Sequence, residues 1–248
     1  MTRTTRLGIV RRWRPLRIIA HRGASAVAPE STSAALREAV RGGAHMVELD
    51  VQMTRDGRLV IFHDDRLERT TGGAGRVTSL RYPQLARLDA GAWFHPRFAG
   101  ERVLLVSQAI RLIPPPVRIN LELKRTAARR ALLKRFVRVV RRARVGARLL
   151  VSSFDPALLE PLRRSGLALA LLCRRDPDRS LRRAIRLGCQ AWHPQVAVVS
   201  PRRIRRAHAA GLAVNVWTVD DPAQARRLAR WGVDGVFTND PARFRGIE

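Results

Sequence analysis

The chain has 248 residues, 46% of them hydrophobic, enough to fill one α/β barrel or two smaller cores. Its formal charge of +28 comes almost wholly from arginine scattered along every predicted helix, with Lys124 and Lys134 the only lysines. No named nucleic-acid motif occurs and no stretch reaches the ~18 apolar residues of a membrane span, while Cys173 and Cys189 make neither a disulfide framework nor a metal spacing, as expected of a reduced cytoplasmic protein.

Residues 1–15 are basic but lack the apolar core of about 7–15 residues that a secretory signal needs, so they are expected to form a tail able to lie against anionic lipid. Residues 16–21 form a short apolar run, a buried strand that stops at His21-Arg22-Gly23. Residues 31–43 read as a helix stopped by Gly42-Gly43. The densest chemistry falls in residues 45–64. Glu48 and Asp50 are two apart in a β-branched run, so a strand puts both on one face. Asp56-Gly57 is a hairpin signal. A two-residue turn there sets Met53 opposite Val60 and Asp50 opposite His63, with Cβ atoms about 4.5–5.5 Å apart.

Residues 65–117 lose periodicity and close on Pro114-Pro115-Pro116, which predicts an inserted excursion with a short helix near 107–112. From 118 onward strands and helices alternate. Eight strands are expected, at 16–21, 45–50, 118–124, 149–154, 167–172, 190–194, 212–218 and 234–238. With helices between them they make a (β/α)8 TIM barrel, a single domain over residues 16–248. The arm 59–63 must return antiparallel above it, because a five-residue link cannot make a parallel crossover.

In that fold, chemistry gathers where strands end. Glu48, Asp50 and Glu122 come from neighbouring strands, and three oxygen-bearing acids suit Ca²⁺ or Mg²⁺ better than Zn²⁺. His21 and His63 reach the same rim, and a pKa near 6.5 lets imidazoles act as both acid and base at neutral pH. Arg22 can clamp a phosphate, and Lys124 can stabilise its charge or pair with Glu122. Trp217 serves either as a wall of the substrate pocket or as core. His45 and His208 read as structural, and His95 and His193 fit either role.

The series A-H-R-G, P-E-S-T, V-E-L-D-V-Q-M-T-R-D-G-R-L-V-I-F-H-D, L-E-L-K, S-S-F, W-H-P, V-W-T-V and T-N-D resembles the glycerophosphodiester phosphodiesterase family from about His21 to Asp240. The resemblance implies a barrel with a small insertion after the H-D motif. It implies a divalent cation on Glu48, Asp50 and Glu122, an acid/base pair of His21 and His63, and Arg22 and Lys124 at the phosphate. Two departures stand out. The family's P-E-N-T reads P-E-S-T, where Ser31 is expected to cap the following helix. The family's P-T-L-x-E is replaced by Leu104-Leu105-Val106-Ser107-Gln108, a change that bears on pocket detail or substrate choice.

The expected reaction is hydrolysis of a small glycerophosphodiester to glycerol 3-phosphate and an alcohol. The same barrel type resembles lysophospholipase D and sphingomyelinase D enzymes, for which the basic tail and the aromatics of 65–117 would touch an anionic membrane. A non-catalytic, basic anion-binding barrel is the third reading, and no specific nucleic-acid partner is expected.

Overall fold

The computed structural model describes residues 15–247; the basic N-terminal segment, 1–14, lies outside them. Nine strands form one sheet: β1 (Arg17–His21), β2 (Met46–Met53), β3 (Leu59–Ile61), β4 (Arg118–Leu123), β5 (Leu149–Ser153), β6 (Ala168–Cys173), β7 (Ala191–Pro194), β8 (Ala213–Val216) and β9 (Gly235–Thr238). All except β3 pair in parallel, and β1 pairs with both β2 and β9, so eight strands close into the barrel that the sequence predicts. Helices α1 (Ser33–Arg41), α3 (Val106–Leu112), α4 (Arg129–Ala143), α5 (Pro156–Leu159), α6 (Pro177–Arg186), α7 (Pro201–Ala209) and α8 (Pro222–Arg230) surround it. No helix among the described residues is long and apolar enough to cross a membrane.

The strands read as near-continuous apolar runs because both of their faces are buried. One face packs against the helices through residues such as Val47, Leu49, Leu121 and Val151, with Phe136 of α4 in the same core. The other fills the interior, and along each strand it changes character. Ile19, Met46, Leu150, Ala170, Ala191 and Phe237 cluster there. Two residues further along, the interior is polar: Asn120 Nδ2 donates to Ser152 Oγ (2.9 Å), and Asn215 Nδ2 lies 3.0 Å from His193 Nε2. Period-two alternation thus carries β2 from Met46 to Glu48 to Asp50 and β4 from Asn120 to Glu122.

The helices start by a repeated device. Asp155-Pro156, Asp176-Pro177, Ser200-Pro201, Asp221-Pro222 and Asp240-Pro241 each place a side-chain oxygen on a free backbone N–H of the first turn, with proline next, where no N–H is needed.

Three details correct the sequence reading. The β2–β3 turn spans three residues, 55–57, with Gly57 at φ +76°, so Gln52 pairs with Val60 and Asp50 faces Phe62 rather than His63. Ser31 does not cap α1; Thr32 does, accepting from the Ala35 N–H. Ser31 is instead held at φ +63°, a left-handed conformation that the Asn of the usual motif tolerates better than Ser. The helix placed inside the excursion is α3, which packs between α1 and α4 as the crossover leading back to β4. The excursion before it holds one short α-helix, α2 (Tyr82–Leu85), and two 3-10 turns, Val77–Ser79 and Pro96–Phe98, over its own core of Val60, Phe62, Leu67, Val77, Leu85, Ala90 and Val103. Gln108, where the family's acid would stand, accepts from the Leu105 N–H (2.7 Å) and the Tyr82 hydroxyl (3.3 Å). That departure falls on the start of α3.

Gly23 turns the chain away from β1 at φ +82°, and a Cβ there would lie 2.8 Å from the Ala35 backbone. Gly23→Ala is expected to cost about 2 kcal/mol or more, since steric overlap adds to left-handed strain. Urea unfolding checks this, and an unchanged midpoint would contradict it.

Candidate active site at the carboxyl end of the barrel

Parallel pairing builds the site. Register sets His21 beside Glu48 and Asp50 beside Glu122. The carboxylate oxygens of Glu48, Asp50 and Glu122 come within 4.8 Å of one another, and all three residues are buried. Three negative charges cannot share that volume without compensation. Lys124, one residue past β4, brings its Nζ to 3.2 Å from Asp50 Oδ1 and 3.1 Å from Glu122 Oε1. Arg22 Nε stands 3.6 Å from Asp50 Oδ2, and the Arg22 backbone N–H donates to Glu48 Oε2 (3.1 Å).

The protonation pattern follows from that crowding. Burial, then the charges of Asp50 and Glu122, push the Glu48 carboxyl far above the ordinary range. Burial and Asp50 raise Glu122 to about 7, against the pull of Lys124. Asp50 is buried too, but Lys124, His63 and Arg22 outweigh burial and hold it below its usual value. Glu48 Oε1 and Asp50 Oδ2 are buried with no hydrogen-bond donor, the condition an inward-facing cation would relieve. An all-oxygen, carboxylate-rich donor set fits a hard divalent ion.

Both rim histidines are oriented through Nδ1, by different partners. His21 Nδ1 lies 2.8 Å from Asn239 Oδ1. Asn239 Nδ2 donates to Asp220 Oδ2 (2.7 Å), so its oxygen faces the ring, His21 Nδ1 must donate, and Nε2 keeps its lone pair. His63 Nδ1 lies 2.5 Å from Asp64 Oδ1. Asp64 is itself held at about 2, chiefly by its hydrogen bond from Arg69. Arg69 also grips Glu30, and Glu30 accepts from Arg22, so one ion-pair chain links Arg22 to His63. Burial lowers the pKa of both rings; Arg22 adds to this at His21, and Asp50 opposes it at His63.

The structure brings together His21, Arg22, Glu48, Asp50, His63, Glu122 and Lys124. His63 arrives despite the shifted register, because buried Gln52 donates to the carbonyls of Phe62 (3.0 Å) and Asp64 (2.7 Å) and pins the segment between them. A pocket of about 560 Å³ opens beside His63 and Lys124 and is lined also by Phe154 and Arg174. Trp217 stands behind it, half-buried, in edge contact with Phe154. His193 is core: it is fully buried, and burial lowers its pKa to about 3. His45 Nδ1 accepts from the Ile18 N–H, and His208 pairs with Asp234 (2.8 Å). His95 Nδ1 accepts from the Arg97 N–H at the start of a short turn of helix. Sequence reasoning gave no role to Gln52, Asn239, Asp64, Glu30 or Arg174. The T-N-D, H-D and P-E motifs contain three of them, but Asn239 and Glu30 meet partners far off in the chain, and Asp64 is held by Arg69 as well as by neighbouring His63.

Burial lowers both rim histidines from their ordinary value, whereas Glu48 and Glu122 are raised, so the acids carry the pH dependence of stability above the ordinary carboxylate range. A carboxyl raised from 4.5 to about 7 stabilises the fold fully below the unfolded value and loses that contribution as pH rises through 7. The cation-free protein is therefore expected to lose thermal stability progressively as pH rises from about 4.5, with Glu122's share of the loss complete just above pH 7. Binding of Ca²⁺ or Mg²⁺ near pH 7 is expected to release about one proton and to tighten as pH rises. Calorimetry in buffers of differing ionisation enthalpy checks this; binding with no proton release would refute the assignment.

Comparison with known proteins gives a consistent picture. The model of the glycerophosphoryl diester phosphodiesterase family matches residues 21–243. A glycerophosphodiester phosphodiesterase of Caldanaerobacter subterraneus subsp. tengcongensis is 32% identical over 90% of this chain and 94% of its own. One from Bacillus altitudinis is 32% identical over 92% and 96%. Among solved structures, a phosphodiesterase of Oleispira antarctica in complex with the product sn-glycerol-3-phosphate superposes with a TM-score of 0.88 at 31% identity, covering 94% of this chain and 96% of that one.

Proposed function

Since the chain belongs to the glycerophosphoryl diester phosphodiesterase family and is an enzyme of that activity, we propose that it hydrolyses small glycerophosphodiesters to glycerol 3-phosphate and an alcohol by paired histidine catalysis at a divalent-cation site. We treat residues 16–248 as one barrel domain interrupted by the excursion after the hairpin. The observation that carries the reading is the meeting of two oriented imidazoles with three buried carboxylates at one barrel mouth.

Glu48, Asp50 and Glu122 would hold the cation, Ca²⁺ or Mg²⁺, which supplies Lewis acidity toward a phosphate oxygen. The remaining work falls to the chain. Arg22 is placed to donate to a phosphate oxygen, and Lys124 adds positive charge from the opposite side of the acids. The two histidines divide the proton transfers by their partners. A neutral amide oxygen orients His21, so its Nε2 stays an acceptor and serves as the base that takes the proton of the attacking hydroxyl. A carboxylate backs His63, which favours its imidazolium, so it serves as the acid that protonates the leaving alcohol. Phe154 walls the pocket beside His63, with Trp217 packed edge to face behind it.

His21→Ala and His63→Ala are each expected to lower kcat by about 10²- to 10⁴-fold, measured as glycerol 3-phosphate released from glycerophosphoglycerol, with cation binding retained. Asp64→Asn should shift the basic limb of the kcat profile to lower pH, because it removes the charge that favours the protonated His63 needed as the acid. Unimpaired turnover in His63→Ala would end the proposed role.

A further inference from the structure

The pocket beside His63 contains a charge that no acid among the described residues neutralises. Phe154, Arg174 and Trp217 are the residues that directly follow β5, β6 and β8. Phe154 meets Trp217 edge to face, with ring centroids 5.5 Å apart and planes at 86°. The Trp217 indole is anchored by its N–H, which donates to the His193 carbonyl (2.8 Å). Two aromatic rings at a right angle form half of the cage that binds quaternary ammonium groups. Here the cation position is already taken, since the Arg174 guanidinium lies 5.7 Å from the Trp217 centroid.

The other charges lining this pocket have partners. Lys124 pairs with Asp50 and Glu122, Arg66 with Glu68 (2.5 Å), and Asp64 with His63 and Arg69. Asp65 is the one carboxylate free enough to attract a cation, but it is 75% exposed and sits 3.9 Å from Arg76. Among the described residues Arg174 makes no ion pair. A positively charged head group entering this pocket must displace Arg174 from the indole or lie beside it. A hydroxyl or phosphate oxygen instead meets an unused fork of N–H donors.

Resting on the phosphodiesterase reading above, we propose that Arg174 is a resident cation in the Phe154–Trp217 corner and that it selects diesters of neutral or anionic polyols over those of choline. The alcohol class it favours is glycerol, an inositol-like ring, or a polyol bearing a further phosphate. The charged ammonium alcohols are the class it excludes.

The test compares kcat/KM for glycerophosphoglycerol and glycerophosphocholine, with Ca²⁺ or Mg²⁺ supplied, in wild type, Arg174→Lys and Arg174→Gln. Wild type should favour glycerophosphoglycerol by about tenfold, the scale of one like-charge repulsion at this range in a half-solvated site. Arg174→Lys should retain that preference. Arg174→Gln should lose it, mainly through a lower KM for glycerophosphocholine, as the aromatic corner opens to the trimethylammonium. An equal ratio in all three proteins overturns the inference and leaves the phosphodiesterase reading standing. Failure of wild type to hydrolyse either diester overturns both.

Discussion

Three carboxylates within 4.8 Å of one another, buried at the mouth of a closed barrel, are the constraint around which the rest of the molecule is arranged. Left alone they would repel by several kcal/mol at interior dielectric. The chain meets this in two ways. It supplies cationic neighbours, Lys124 and Arg22, and it lets Glu48 and Glu122 hold protons that ordinary glutamates would lose. Neither is complete, since one oxygen each of Glu48 and Asp50 stays without a donor. An inward-facing cation would relieve both oxygens, whereas a fully satisfied cluster would have nothing to gain from an ion. Arg22 is the hinge between this cluster and its surroundings. Its backbone and side chain touch two of the acids, and its other contact, with Glu30, ties the acids to the Arg69–Asp64–His63 chain.

The barrel was legible because its evidence is periodic and local. Parallel strands buried on both faces read as short apolar runs, and the two-residue spacing of Glu48 and Asp50 already implies one face. Glu122 and Lys124 were legible for the same reason. The hairpin register was not. Asp56-Gly57 reads as a two-residue turn, but Gly57 alone takes the left-handed conformation and Arg55 joins the loop, which moves the pairing by one residue. A shift of one normally turns a side chain to the other face. His63 reaches the site anyway because it lies past the end of β3, where Gln52 rather than the ladder positions the backbone.

Much of what stayed hidden depends on a partner far away in the chain. Asn239 matters because it meets His21 across 218 residues, and only through Asp220 does its amide acquire a fixed orientation. Glu30 gains its role from Arg69, and Arg174 from Trp217. Composition could not show these pairs in a chain with arginine on nearly every helix. Ser31 and Gln108 make the converse point. Both differ from the family pattern next to functional motifs, yet one is a matter of backbone conformation and the other of a helix start, and neither side chain is among those that form the site.

The five cap-and-proline junctions carry an implication for how such an enzyme diversifies. Each ends its loop with a hydrogen bond made within three residues, so the helix start is set locally and draws nothing from the loop before it. Residues such as Phe154 and Arg174 lie in the short gap between strand end and cap, braced below by the barrel and above by the helix. They can be exchanged as independent letters at the mouth. Junctions of this kind let the side chains at the mouth change one position at a time, while the acid cluster and the closed sheet beneath are left undisturbed.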